Sequence, residues 1–173
     1  SVRSMQGFFV QATAAGTVTF KDAHKVSGEN SDGFFFRKDQ DLFTRIKLSV
    51  SIEDSYNEML VAFREEAVDG IDRLDATQLG VSNGLRFYSQ LDNQAFAIQT
   101  LGALRTEKEI ALGLHIEEDG LHVFNIEEMR SLPTGMNIYL RDELTKEVYD
   151  MTSSESVSIS LNKGTYNERF TLQ

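Results

Sequence analysis

The sequence predicts an all-β chain folded as an antiparallel β-sandwich with jelly-roll-like or Greek-key connections. Three observations predict it. The first is strict alternation: in Thr44-Arg45-Ile46-Lys47-Leu48-Ser49-Val50-Ser51-Ile52 every second residue is apolar, the period-2 signature of a strand with one dry face and one wet face. The second is the recurrence of that pattern in Ser156-Val157-Ser158-Ile159-Ser160-Leu161 and, more weakly, over residues 136–140 and 169–172. The third is the spacing of turn signals between short apolar runs, as in sandwiches and barrels.

Each element follows in chain order. Ala15-Gly16 lies between residues 8–12 and 17–20, which predicts a short hairpin. Residues 27–33 are a polar loop, and Phe34-Phe35-Phe36 beyond it requires burial. Thr44–Ile52 is the clearest strand. Residues 54–66 hold good helix formers, but residues 60–63 would be apolar on every side of a helix, so Met59-Leu60-Val61-Ala62-Phe63 is read as a doubly covered strand. Ser82-Asn83-Gly84 precedes a strand over residues 85–91. Asp119-Gly120 separates residues 111–116 from 121–126 and is the strongest hairpin signal in the chain. Residues 125–131 read as a helical turn or a loop. Pro133-Thr134-Gly135 introduces the strand at 136–140, and Asn162-Lys163-Gly164 separates the last two strands. The whole, residues 1–173, reads as one module with residues 1–40 peripheral. Its core is expected from Ile46, Leu48, Val50, Ile52, Val61, Phe63, Leu112, Val123, Ile138, Leu140, Val157, Ile159, Leu161 and Phe170.

Composition narrows the functional classes. The 173 residues are 40% hydrophobic and 25% charged, ordinary for a globular chain. No apolar run approaches the ~18 residues of a membrane-spanning helix, so membrane insertion is not expected. Residues 1–5 lack the apolar stretch of a signal peptide. The net charge of −10 and the lack of a Lys/Arg cluster argue against nucleic acid. The absence of cysteine removes thiol catalysis and Cys-ligated metals. No nucleophile elbow, phosphate-cradling loop or distinguished carboxylate pair is evident, so no enzyme activity is expected.

Two constellations point to binding. Glu66, Asp69, Asp72 and Asp75, with Gly70 to turn the chain, offer several of the oxygens a calcium ion takes. Their spacing is not that of an EF-hand loop, and the alternative is that they cap turns, pair with Arg64 and Arg73, or are solvated. Tyr56, Phe87, Tyr88 and Tyr139 offer ring faces for stacking on a sugar; Phe87 and Tyr88 are consecutive, so one of the two should point outward. Against a sugar platform stands the absence of tryptophan. His115 and His122 flank the Asp119-Gly120 turn, and a hairpin there would set them on one wet face with Glu117.

Met5-Gln6-Gly7-Phe8-Phe9-Val10-Gln11-Ala12, followed by Gly16-Thr17-Val18-Thr19-Phe20, resembles the opening of a β-sandwich module of Bacteroidota surface and secreted proteins that usually precedes the type IX secretion sorting domain. Residues 66–76, Ile110-Ala111-Leu112-Gly113, residues 138–145 and residues 164–172 are similar to later motifs of that family, in the same order. The resemblance implies a non-catalytic accessory or spacer module, secreted or at the cell surface, beside flanking domains of its parent chain. The alternative expectation is a carbohydrate-binding or adhesion module, calcium-assisted or not, whose partner is a polysaccharide or a surface protein.

Overall fold

The computed structural model describes residues 10, 12–24, 43–80, 84–104, 107–153 and 156–173. The chain divides into two compact units, residues 1–41 and residues 42–173.

In the first unit the described residues are exposed and carry one 3-10 turn, Asp22–His24, in which the His24 N–H donates to the Lys21 carbonyl at 2.9 Å. Residues 17–20 form no strand, contrary to the expected hairpin. Val18 and Phe20 are exposed, and alternation makes a strand only where a dry face is covered and a neighbour takes the backbone bonds. The loop at 27–33 and Phe34-Phe35-Phe36 lie outside the described residues.

The second unit is all-β. Its strands are β1 (Thr44–Ile52), β2 (Ser55–Phe63), β3 (Ala76–Thr77), β4 (Leu85–Leu91), β5 (Gln94–Leu101), β6 (Ile110–Ile116), β7 (Gly120–Arg130), β8 (Tyr139–Asp142), β9 (Val148–Asp150), β10 (Val157–Leu161) and β11 (Gly164–Leu172). They form one continuous sheet in the order β10-β7-β1-β2-β5-β4-β6-β11-β8-β9, with β3 added on β5. The sheet curls into a barrel-like wall around one core. Phe124 of β7 meets Phe87 of β4 edge-on, at 5.9 Å between ring centroids, and meets Phe170 of β11 at 5.3 Å.

The sheet is mixed, not purely antiparallel. β2 and β5 run parallel, Leu60 opposite Ile98 and Phe63 opposite Leu101. A parallel pair needs a crossover of a dozen or more residues. The connection over residues 64–84, together with β4, provides it.

Asp119-Gly120 is not a hairpin turn. β6 pairs with β4 and β11, whereas β7 pairs with β1 and β10. Residues 117–119 therefore arch from one side of the wall to the other, and residues 162–163 arch beside them between β10 and β11. Asp119 Oδ1 accepts the Lys163 N–H at 2.6 Å and ties the arches together. The signal misled because a short Asp-Gly connection suits either a hairpin or an arch, and the partner strand decides which forms.

β1 alternates as expected, with Ile46, Leu48, Val50 and Ile52 buried. β7 runs in the opposite phase to expectation. His122 and Phe124 are buried, while Leu121 is 58% exposed and Val123 only partly covered. Residues 121–126 are apolar in both phases, and the polar His122 disguised the inward one. The other expected core residues are buried.

One outer-face contact depends on a missing side chain. Tyr88 lies opposite Gly113, its ring flat over the glycine and its hydroxyl donating to Asn167 Oδ1 at 2.8 Å. A Cβ at Gly113 would lie 2.0 Å from a ring carbon of Tyr88. Gly113→Ala is expected to cost about 1–3 kcal/mol, as overpacked sites do, read as a lower urea midpoint at unchanged slope.

Candidate functional site

The strand ends that meet at one rim of the wall enclose a cleft of about 540 Å³. β1 begins there, β2 ends, β6 and β8 begin and β11 ends, as the pairings Thr44 opposite Phe63 and Ile110 opposite Leu172 require. Its floor is the last layer of the core: Ile46, Phe63, Ile110, Ile138 and Leu172, with Leu104 and Leu132 completing the apolar wall. Its rim is polar: Glu107, Lys108, Glu109, Asn137, Tyr139 and Gln173. The volume lies within the ordinary range of small-molecule pockets, ~300–1,000 Å³.

Two connections shape the rim. Residues 131–138 turn sharply at Ser131, with φ 55°, and at Gly135, with φ 85°. The Met136 N–H donates to the Pro133 carbonyl at 3.2 Å. Tyr139 is fixed at both backbone groups by Gln173, at 2.7 and 2.9 Å, and its hydroxyl accepts from Asn137 Nδ2 at 3.1 Å. Lys108 is held by Asp69 Oδ2 at 2.5 Å. Glu107 and Glu109 carry no ion pair among the described residues.

Of the four aromatic residues expected to form a platform, Tyr139 alone lines this cleft. Phe87 is 1% exposed and belongs to the core. Tyr88 is buried too, because Gly113 lets its ring lie down on the sheet; neither residue of the consecutive pair presents a face to solvent. Tyr56 is exposed on β2, where its hydroxyl donates to Glu58 Oε2 at 2.8 Å. Burial and that bond push its phenol up to about 12. The four rings do not share a surface.

The acidic segment is a staple. Beyond Phe96, β4 leaves β5 to pair with β6, so β5 loses that neighbour along its last residues. Asp75 Oδ1 accepts the Thr100 N–H at 2.7 Å, and Asp69 Oδ1 accepts the Gly102 N–H at 3.1 Å. Asp75 Oδ2 accepts the Asp72 N–H at 2.7 Å, and Asp72 accepts from Val68 and Leu74 at 3.2 and 2.7 Å. Glu66 pairs with Arg64 at 2.5 Å. Its own backbone N–H, then Arg64 and Arg73, hold its carboxyl below the usual range. The Lys108 bond does the same for Asp69. The carboxylates of Asp69, Asp72 and Asp75 are each engaged with N–H donors. Among the described residues no cluster of three or more His, Cys, Asp or Glu converges on a metal position.

The histidines also separate. His115 Nδ1 meets Thr165 Oγ1 at 2.8 Å on the outside, and His122 points into the core with Nδ1 near the Gly120 carbonyl at 3.1 Å. Its Nε2 has no partner among the described residues. Burial lowers the pKa of His122, so the folded state favours the neutral ring. The unfolded chain takes up a proton below about pH 6.5 that the folded chain refuses. Stability should therefore fall as pH drops from about 6.5 toward the folded value. His122→Gln should flatten that window in urea titrations run from pH 8 to 5.

Sequence reading missed the cleft because its apolar wall includes residues stranded in connections, Leu104 and Leu132. An apolar residue between turn formers signals local burial, yet nothing in sequence brings Leu104, residues 107–110 and residues 132–138 to one rim. No curated protein and no solved structure matches the chain. A family model does match, over residues 1–173, and the chain belongs to that family, described as Domain of unknown function (DUF8693).

Proposed function

We propose that the chain is a non-catalytic accessory module of a secreted or cell-surface protein, serving to mount the flanking domains of its parent. One observation carries this reading: charged side chains of the wall are spent on the fold. Buried Asp142 pairs with Arg169, Arg45 pairs with the partly exposed Glu128 at 2.7 Å, and the acidic segment closes the edge of β5. β10-β7-β1-β2 and β4-β6-β11-β8 are taken as the two layers of a jelly-roll-like sandwich, supported by the Phe124 contacts with Phe87 and Phe170. Export by the type IX route rests on the sequence resemblance. The test is replacement of the module in its parent by a flexible linker of equal span. The flanking domain should keep its intrinsic activity when purified and lose its place at the surface; a loss of intrinsic activity would overturn the reading.

A second reading, a binding or adhesion module, is favoured by the cleft. Among ligand classes a polysaccharide is the less well served, because Tyr139 is the sole expected ring at its rim. Affinity electrophoresis through a panel of polysaccharides tests it: retardation in one gel, lost on Leu104→Trp, supports a glycan site in the cleft. Unretarded migration in every gel removes the glycan version.

A further inference from the structure

We propose that the cleft is a site for a small aliphatic amine, a ligand with a hydrocarbon body and a single positive head. This rests on the binding reading and names its ligand class. The floor supplies the first half of the argument. Ile46, Ile110, Ile138 and Leu172 present branched aliphatic carbon, with Phe63 as the single aromatic ring of the floor. Such a surface gains from covering hydrocarbon and offers little to sugar hydroxyls, which would be stripped of water against it.

The rim supplies the second half. Glu107 and Glu109 lie on either side of Lys108 at the opening. The ammonium of Lys108 is neutralised by Asp69 at 2.5 Å, so among the described residues the rim carries an excess of negative charge. Asn137 and Gln173 add carbonyl oxygens able to accept from an ammonium, and the Tyr139 hydroxyl can do the same. A carboxylate head would meet two like charges there. The protein's overall charge of −10 acts in the same direction, raising the local concentration of cations. Shape and charge together select an aliphatic cation over an aliphatic anion or a neutral alcohol.

The test uses the whole chain and three probes of equal length, decylamine, decanol and decanoate, each below its micelle-forming concentration and followed by titration calorimetry. Decylamine should bind about fivefold or more tighter than decanol, the size two partly exposed charge contacts provide, and decanoate should bind weakest. Glu107→Gln/Glu109→Gln, at two solvent-facing positions, should erase the preference while leaving the melting curve in place. Leu104→Trp, which fills the cleft, should weaken all binding; should that variant fail to fold, the glutamine pair still decides the matter. Equal binding of amine and alcohol, or an amine preference that survives in the glutamine variant, overturns the ligand class while leaving a binding cleft. Binding of none of the three overturns the ligand class and the cleft reading together.

Discussion

Leu48→Asp is expected to unfold the β-rich unit. Leu48 sits at the middle of β1, between Met59 of β2 and Ile126 of β7, and is 2% exposed. The substitution removes a buried aliphatic side chain, at about 2–5 kcal/mol by itself, and places a carboxylate where no donor waits. The combined cost rivals the ~5–15 kcal/mol that holds a domain of this size. Circular dichroism should show no cooperative melt, whereas Leu48→Met, which conserves volume, should cost less than about 1.5 kcal/mol. An unchanged melt for the aspartate variant would mean that the phase of β1 has been misassigned.

Asp142→Ala should be the most damaging change to a charged residue. The Asp142 side chain is 1% exposed and takes two bonds from Arg169 Nε at 3.1 Å and one from Nη2 at 2.7 Å. It also accepts the Leu144 N–H at 2.9 Å, capping the turn between β8 and β9. Burial would raise its pKa, but the Arg169 bonds and the turn N–H groups outweigh this and hold the carboxyl below its usual range. The alanine variant leaves Arg169, whose side chain is 14% exposed, facing a neutral cavity. A loss of about 3–5 kcal/mol follows from breaking such a pair on one side. Asp142→Leu/Arg169→Met should recover part of it, since no unpaired charge remains, though the turn still lacks its acceptor. The lowered carboxyl also fixes the sign of the acid response: the pair contributes fully above the unfolded pKa of about 3.8 and is lost as pH falls through the folded value. A double variant less stable than the single one would contradict the assignment of the loss to the stranded charge.

How far the sequence reveals this molecule depends on range. β1 was legible to its end residues because alternation is local. β2 was legible as a strand although its residues suit a helix, because Val61, Ala62 and Phe63 are all covered. Pairing was not legible. The Asp119-Gly120 connection has the residues of a hairpin and makes an arch, and the parallel pairing of β2 with β5 depends on where the 64–84 connection returns the chain. The hairpin turns Glu53-Asp54 and Asp92-Asn93, with positive φ at Glu53, Asp92 and Asn93, carry no glycine and so gave little warning. The candidate site fared likewise. Tyr139 and Asp69 both belong to the cleft or to the lysine at its rim, but sequence placed them in separate constellations, a sugar platform and a calcium loop. Only the folded wall shows that Asp69 is committed to Gly102 and Lys108.

We propose that the acidic segment serves the fold and not a cation. The measurement that tests this most directly is thermal denaturation of the native chain and of Asp75→Asn, each in millimolar calcium and in chelator. Asp75 bridges the Thr100 and Asp72 N–H groups, so the variant should melt lower by the same amount in both buffers, and calcium should leave the native midpoint where it was. A native midpoint that rises with calcium, by the mass-action stabilisation a bound ion confers, and a rise that disappears in Asp75→Asn, would contradict it.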